Sequence, residues 1–135
     1  FVLSSRAVYS KFFYGSKDIA VVKENLKKLN LWEIKDKSIS SLSIGQRQRV
    51  LLCRCLCVSE KIIFLDEPTN SLDINVRKML YDILEKLNKE GLTIVMISHD
   101  EEAFKYSNRA LVLGKENRVI ENVLEKYEKG EINFD

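Results

Sequence analysis

The chain has 135 residues, of which 45% are hydrophobic and 31% charged. That is enough apolar material for one domain with its own core, and it excludes a disordered segment. Twenty-two Lys and Arg against 20 Asp and Glu leave a net charge of +2, which gives no reason to expect a nucleic-acid partner. The single proline, Pro68, excludes a Pro-rich linker. Apolar runs such as Ile94 to Ile97 are too short to span a bilayer. The opening Phe1-Val2-Leu3-Ser4-Ser5-Arg6 has no basic stretch before an apolar block, so no signal peptide is read. It also lacks an initiator Met, as expected of a chain trimmed from, or forming a piece of, something longer.

In chain order, residues 1–16 are mixed, and the aromatic cluster Tyr9, Phe12, Phe13 and Tyr14 reads as core. From Lys17, apolar residues at Ile19, Val22, Leu26 and Leu29 step by three and four, which predicts an amphipathic helix. Asn30 and the stretch from Lys35 to Ser41 read as loop. Ser43 is a good N-cap for a second helix whose apolar face is Val50, Leu51, Leu52 and Leu56. That helix carries all three cysteines, Cys53, Cys55 and Cys57. At roughly 100° per residue, Cys55 points about 200° away from Cys53, so the three cannot close on one metal by themselves. They read as small apolar residues packing a helix in a reducing compartment.

Ile62 to Leu65 is a short continuous apolar run, read as a buried strand, and it ends in Asp66-Glu67-Pro68. Asp73 then caps a helix patterned by Val76, Leu80, Ile83, Leu84 and Leu87, with Gly91 as its stop. Thr93 to Ile97 reads as a second buried strand, followed by a short helix opened by Asp100-Glu101-Glu102. Ala110 to Leu113 and Arg118 to Ile120 are strand-like around Gly114 to Asn117, a hairpin pattern. Glu121 to Lys129 reads as a last helix with Gly130 as its stop.

The two apolar strands are joined by a roughly 25-residue connection holding a helix, as a parallel crossover needs. Parallel strands end at the same edge of a sheet, where ligands bind in open α/β folds. One strand ends in Asp66-Glu67 and the other in Ser98-His99. Two carboxylates and the only histidine are thus expected at one edge. That set suits metal-assisted hydrolysis: Asp66 holding Mg²⁺, Glu67 orienting and deprotonating a water, and His99 bonding a phosphate oxygen.

Leu42-Ser43-Ile44-Gly45-Gln46, then Ile62 to Pro68, then Ser71-Leu72-Asp73, then His99 resemble, in order and spacing, the ATP-binding cassette (ABC) ATPases. The resemblance runs from about Val2 to Ile120. It implies an α/β fold, a partial P-loop NTPase with a parallel sheet, flanking helices and a helical subdomain. Residues 1–48 would form the helical subdomain bearing the signature motif, and 49–135 the C-terminal part of the ATPase core. Ser43, Gly45 and Gln46 match the signature that contacts the γ-phosphate of ATP held by a second subunit, consistent with the anion preference of a helix N-terminus. Asp66 and Glu67 match the Mg²⁺-binding and catalytic acids of Walker B, Asp73 the D-loop at the dimer interface, and His99 the switch histidine. Arg47 and Arg49 follow the signature as in the family, at least one of them expected on a solvated helix face.

Ile44 stands where the family has glycine; a β-branched residue there is expected to restrict the backbone and crowd the phosphate. A phosphate loop, G-x-x-x-x-G-K-[ST], is absent from the sequence. The expected identity is therefore the C-terminal piece of an ABC ATPase at the cytoplasmic face of a membrane, peripheral to it. Its expected partners are a second ATPase subunit, as in a homodimer, and membrane permease subunits, with no nucleic acid. In texture the chain is similar to zinc and manganese importers. A soluble ABC ATPase acting on ribosomes or DNA, or a non-catalytic fragment, is the alternative.

Overall fold

A computed structural model describes residues 1–4, 15–59, 61–113 and 117–132. The Tyr9, Phe12, Phe13 and Tyr14 cluster and the Gly114 to Glu116 part of the hairpin lie outside them. The chain divides after Ile97 into two compact units, Phe1–Ile97 and Ser98–Asp135. The boundary expected at 48/49 falls within a continuous helix.

In the first unit, α1 spans Ser16–Lys28, with its buried stripe at Asp18, Val22 and Leu26. The Gly15 N–H at its start donates to Asp18 Oδ2 at 3.0 Å. The stretch read as loop, Lys35 to Ser41, holds a one-turn 3₁₀ helix, Ile39–Ser41, and another, Trp32–Ile34, lies just before it. The second helix, α2, spans Ile44–Val58 and buries Val50, Leu52, Cys53, Leu56 and Cys57 against α1 and the rest of the core. Leu51, expected on the apolar face, is exposed. None of the three cysteines is in a disulfide, and Cys55 is the least covered. The hydrogen bond with Cys57, then burial, push the Cys53 thiol far up, so it stays protonated and inert.

Strand β1, Ile62–Asp66, pairs in parallel with β2, Thr93–Ile97, in the register Ile62↔Thr93 to Asp66↔Ile97. Between them runs α3, Ile74–Lys89, whose buried face is Leu80, Tyr81, Leu84 and Leu87. Gly91, at φ +101°, lets the chain turn back into β2. The strands are not buried on both faces, as their continuous apolar character suggests. Ile63 is 3% exposed, on the face packed by the unit's own core, whereas Phe64 is 71% and Ile97 65% exposed. Residues two apart share a face of a strand. Ile62, Phe64, Val95 and Ile97 therefore form one apolar sheet face that the described residues leave uncovered.

The second unit opens with a 3₁₀ helix, Glu101–Tyr106, capped by Asp100, whose Oδ1 accepts from Glu102 N at 3.0 Å. Strands β3, Arg109–Val112, and β4, Arg118–Glu121, form the antiparallel hairpin read from the sequence. Helix α4, Val123–Glu128, begins later than expected: Glu121 belongs to β4, and Asn122 turns the chain in the left-handed region at φ +54°. Asn tolerates that region better than most residues. Val123 is fully buried, and the rings of Phe104 and Tyr127 stack with centroids 6.0 Å apart.

Candidate functional site

The turn into α2 is built by reciprocal capping. Ser43 Oγ accepts from Gln46 N at 3.2 Å, and Ser43 N donates to Gln46 Oε1 at 3.0 Å. Two backbone donors with no partner inside the helix are thereby satisfied. Ser43 is exposed and Gln46 half-buried. A hydroxyl that accepts one bond still carries its own O–H, so Ser43 can donate to an anion without breaking the cap.

Ile44 is the first residue of regular α-helix, is 48% exposed, and is not in the left-handed region. A helical backbone admits a β-branched residue, so the restriction expected there does not arise. Gly45 is buried, because its Cα faces Val76 on α3. Arg47 is exposed. Arg49 turns inward, and its Nη1 donates to the Leu29 carbonyl at 3.2 Å, fastening α2 to the end of α1. Burial pulls the Arg49 guanidinium below the usual arginine range.

Asp66 is the last residue of β1 and is exposed. Glu67 is half-buried and sits at φ +45°, and its N–H donates to the Ile97 carbonyl at 2.9 Å. That bond ties the acid pair to the end of β2. Two overlapping turns follow, from Asn70 N to Glu67 O at 3.1 Å and from Leu72 N to Thr69 O at 3.2 Å. Pro68, Thr69 and Leu72 are buried, and Thr69 Oγ1 lies 3.4 Å from the hydroxyl of Tyr81, a fully buried ring on α3. Those anchors face inward while Asp66, Asn70, Ser71 and Asp73 face out. Ser71 is also left-handed, at φ +62°. Non-glycine residues held there store strain, and such strain concentrates at functional sites. Asp73 caps α3, its Oδ1 accepting from Val76 N at 3.0 Å.

The structure brings the acid pair, the capped loop and the α2 turn into one unit. His99 is exposed and lies in the second unit, two residues beyond β2. Sequence reasoning missed the Thr69–Tyr81 anchor and the Gly45–Val76 approach. Tyr81 lies beside Leu80 in the periodic run, which marks it as core, but nothing local pairs it with Thr69.

A single hard carboxylate at a strand end suits Mg²⁺, which takes one or two carboxylates and fills its remaining positions with phosphate and water. Among the described residues no group of three His, Cys, Asp or Glu gathers as a dedicated cation cage would require. The exposed Asp66 at the end of β1 is one such carboxylate.

Residues 3–70, half of the chain, match the family model described as ABC transporter. The manganese transport system ATP-binding protein MntB of Halalkalibacterium halodurans is 36% identical over 103 residues, covering 76% of this chain and 41% of that protein. The spermidine/putrescine import ATP-binding protein PotA of Mesoplasma florum is 38% identical over 96 residues, 70% of this chain and 27% of that one. Among solved structures, an inward-facing transporter described as of metal-chelate ABC type superposes with a TM-score of 0.82 at 30% identity. It spans 90% of this chain, which in turn covers 51% of that chain. The chain thus spans about half, or less, of the length of the proteins it matches.

Proposed function

Because this chain belongs to the ABC transporter family, we propose that it is the signature- and Walker B-bearing part of an ATP-hydrolysing subunit that drives a membrane transporter. The observation that carries this reading is the strand end. An exposed Asp66 is followed at once by Glu67 in a left-handed conformation, fixed by the Ile97 carbonyl. Asp66 would hold Mg²⁺, which when bound neutralises phosphate charge. Glu67 orients a water and accepts its proton at the carboxylate. Ser43, Gly45 and Gln46 present a helix N-terminus and a hydroxyl to the γ-phosphate of a nucleotide carried by a second subunit. Asp73 lines the same subunit interface, and His99 bonds a phosphate oxygen. The phosphate loop, absent from this sequence, is supplied by a segment outside it.

No helix among the described residues is long and apolar enough to cross a membrane. A peripheral place on the cytoplasmic face, held by permease subunits, fits that. The cargo we favour is a divalent metal ion, supported by the manganese-transport relative and the metal-chelate structure; the polyamine relative marks the competing cargo. The test joins this chain to a phosphate-loop segment and reconstitutes it with its permease in vesicles. ATP-dependent uptake of Mn²⁺ or Zn²⁺ is expected. Uptake of spermidine instead would keep the motor and replace the cargo, and no ATP turnover would remove both.

A further inference from the structure

Gly45, in the first turn of α2, faces Val76, in the first turn of α3. A β-carbon placed on Gly45 would lie 2.4 Å from Val76 Cγ1, well inside the ~3.5 Å at which carbons rest against one another. The Gly45 backbone does not itself require glycine: among the described glycines only Gly91 and Gly130 have positive φ. Val76 is what excludes a side chain at position 45. The same Val76 gives its N–H to Asp73 Oδ1 at 3.0 Å. On the other helix, Gln46, next to Gly45, gives its N–H to Ser43 Oγ at 3.2 Å. One continuous path therefore runs from the Ser43 cap through Gly45 and the Val76 side chain to the Asp73 cap.

We infer that Val76 is a positioning residue for the nucleotide chemistry. Packed on Gly45, it locks the Ser43 turn to the Asp73 turn, so that the two move onto the nucleotide as one rigid piece. Val76 touches no nucleotide itself. This rests on the reading above that Ser43 faces ATP and Asp73 the subunit interface.

The distances make the inference separable from a glycine kept only for phosphate access. Gly45→Ala forces the two turns apart by about 1 Å, a misplacement that costs on the order of 10²-fold in turnover. Val76→Ala removes both γ-carbons and leaves its Cβ 3.6 Å from the added methyl, an ordinary contact. The double variant therefore restores the spacing. If glycine serves phosphate access alone, the added methyl blocks the nucleotide whatever stands at position 76.

The experiment has two readouts. In this chain, hydrogen exchange reports protection of the Gln46 and Val76 amides, which close the two caps. Gly45→Ala should speed exchange at both, and the double variant should restore both. Faster exchange confined to α2 would overturn the inference. In the protein completed with a phosphate loop, kcat and KM for Mg-ATP are measured for wild type, both single variants and the double variant. The expected pattern is a kcat loss of about 10²-fold for Gly45→Ala, with KM unchanged and recovery of at least about tenfold in the double variant. A double variant as slow as Gly45→Ala overturns the role of Val76, while a wild type without turnover overturns the function instead. If Gly45→Ala does not fold, the folded double variant decides alone: turnover near wild type supports the inference, and a loss of about 10²-fold refutes it.

Discussion

Replacing Glu67 by glycine should make the folded chain more stable than replacing it by alanine. Both substitutions remove the same half-buried carboxylate, so its contacts cancel in the comparison. What differs is the backbone, held at φ +45° by the bond from Glu67 N to the Ile97 carbonyl. A residue with a β-carbon in the left-handed region carries about 1–2 kcal/mol of steric cost, which glycine escapes. Glycine gives back about 0.5–1 kcal/mol through the greater freedom of its unfolded chain. The balance is about 0.5–1 kcal/mol in favour of Glu67→Gly, or roughly 2–4 °C in midpoint for a domain of this size. Urea unfolding of Glu67→Gly and Glu67→Ala, followed by circular dichroism at equal m, measures it. Alanine as stable as glycine would show that Glu67 is unstrained in solution. Strain placed on the proposed base would then have no part in the function.

Other consequences are directly measurable. Ile63→Ala, on the packed face of β1, should cost about 2–5 kcal/mol in urea unfolding, whereas Phe64→Ser on the uncovered face should cost less than about 0.5 kcal/mol; equal costs would contradict the one-sided sheet. A thiol reagent at neutral pH should modify Cys55 first and reach Cys53 and Cys57 only after unfolding, as mass spectrometry would show. Early labelling of Cys53 would contradict its raised thiol pKa. Titrating this chain alone with Mg-ATP by calorimetry should give no measurable binding, because the phosphate cradle is absent from its sequence. Micromolar affinity would mean that the α2 turn and Asp66 hold nucleotide unaided.

Much of the fold was legible because its signals are local. Ser43 and Asp73 cap the helices that they announce, since a short polar side chain before an apolar period has one favourable use. Ile62 to Leu65 and Thr93 to Ile97 read as strands from length and branching, and they pair in parallel as the intervening helix requires. Their burial was not legible, because a continuous apolar run says that both faces can be covered, not that both are. The start of α4 was missed because Asn122 in the left-handed region ends β4 and begins the helix in one residue. At the site, residue identities were readable and conformations were not. Nothing in Asp66-Glu67-Pro68 announces a positive φ at Glu67; it follows from the turns to Asn70 and Leu72 and the buried Thr69–Tyr81 anchor. The glycine at 45 likewise takes its meaning from Val76, 31 positions on, which only the packing of α2 on α3 reveals.

Glu67 is read above as the residue that activates water for ATP hydrolysis, so steady-state turnover of Glu67→Gln is the decisive measurement in the protein completed with a phosphate loop. Glutamine keeps the shape of the side chain and removes its basicity. Hydrolysis should fall by about 10²–10⁴-fold, the span of a general base, while nucleotide remains bound. Turnover equal to that of the unsubstituted protein would show that Glu67 is not the base.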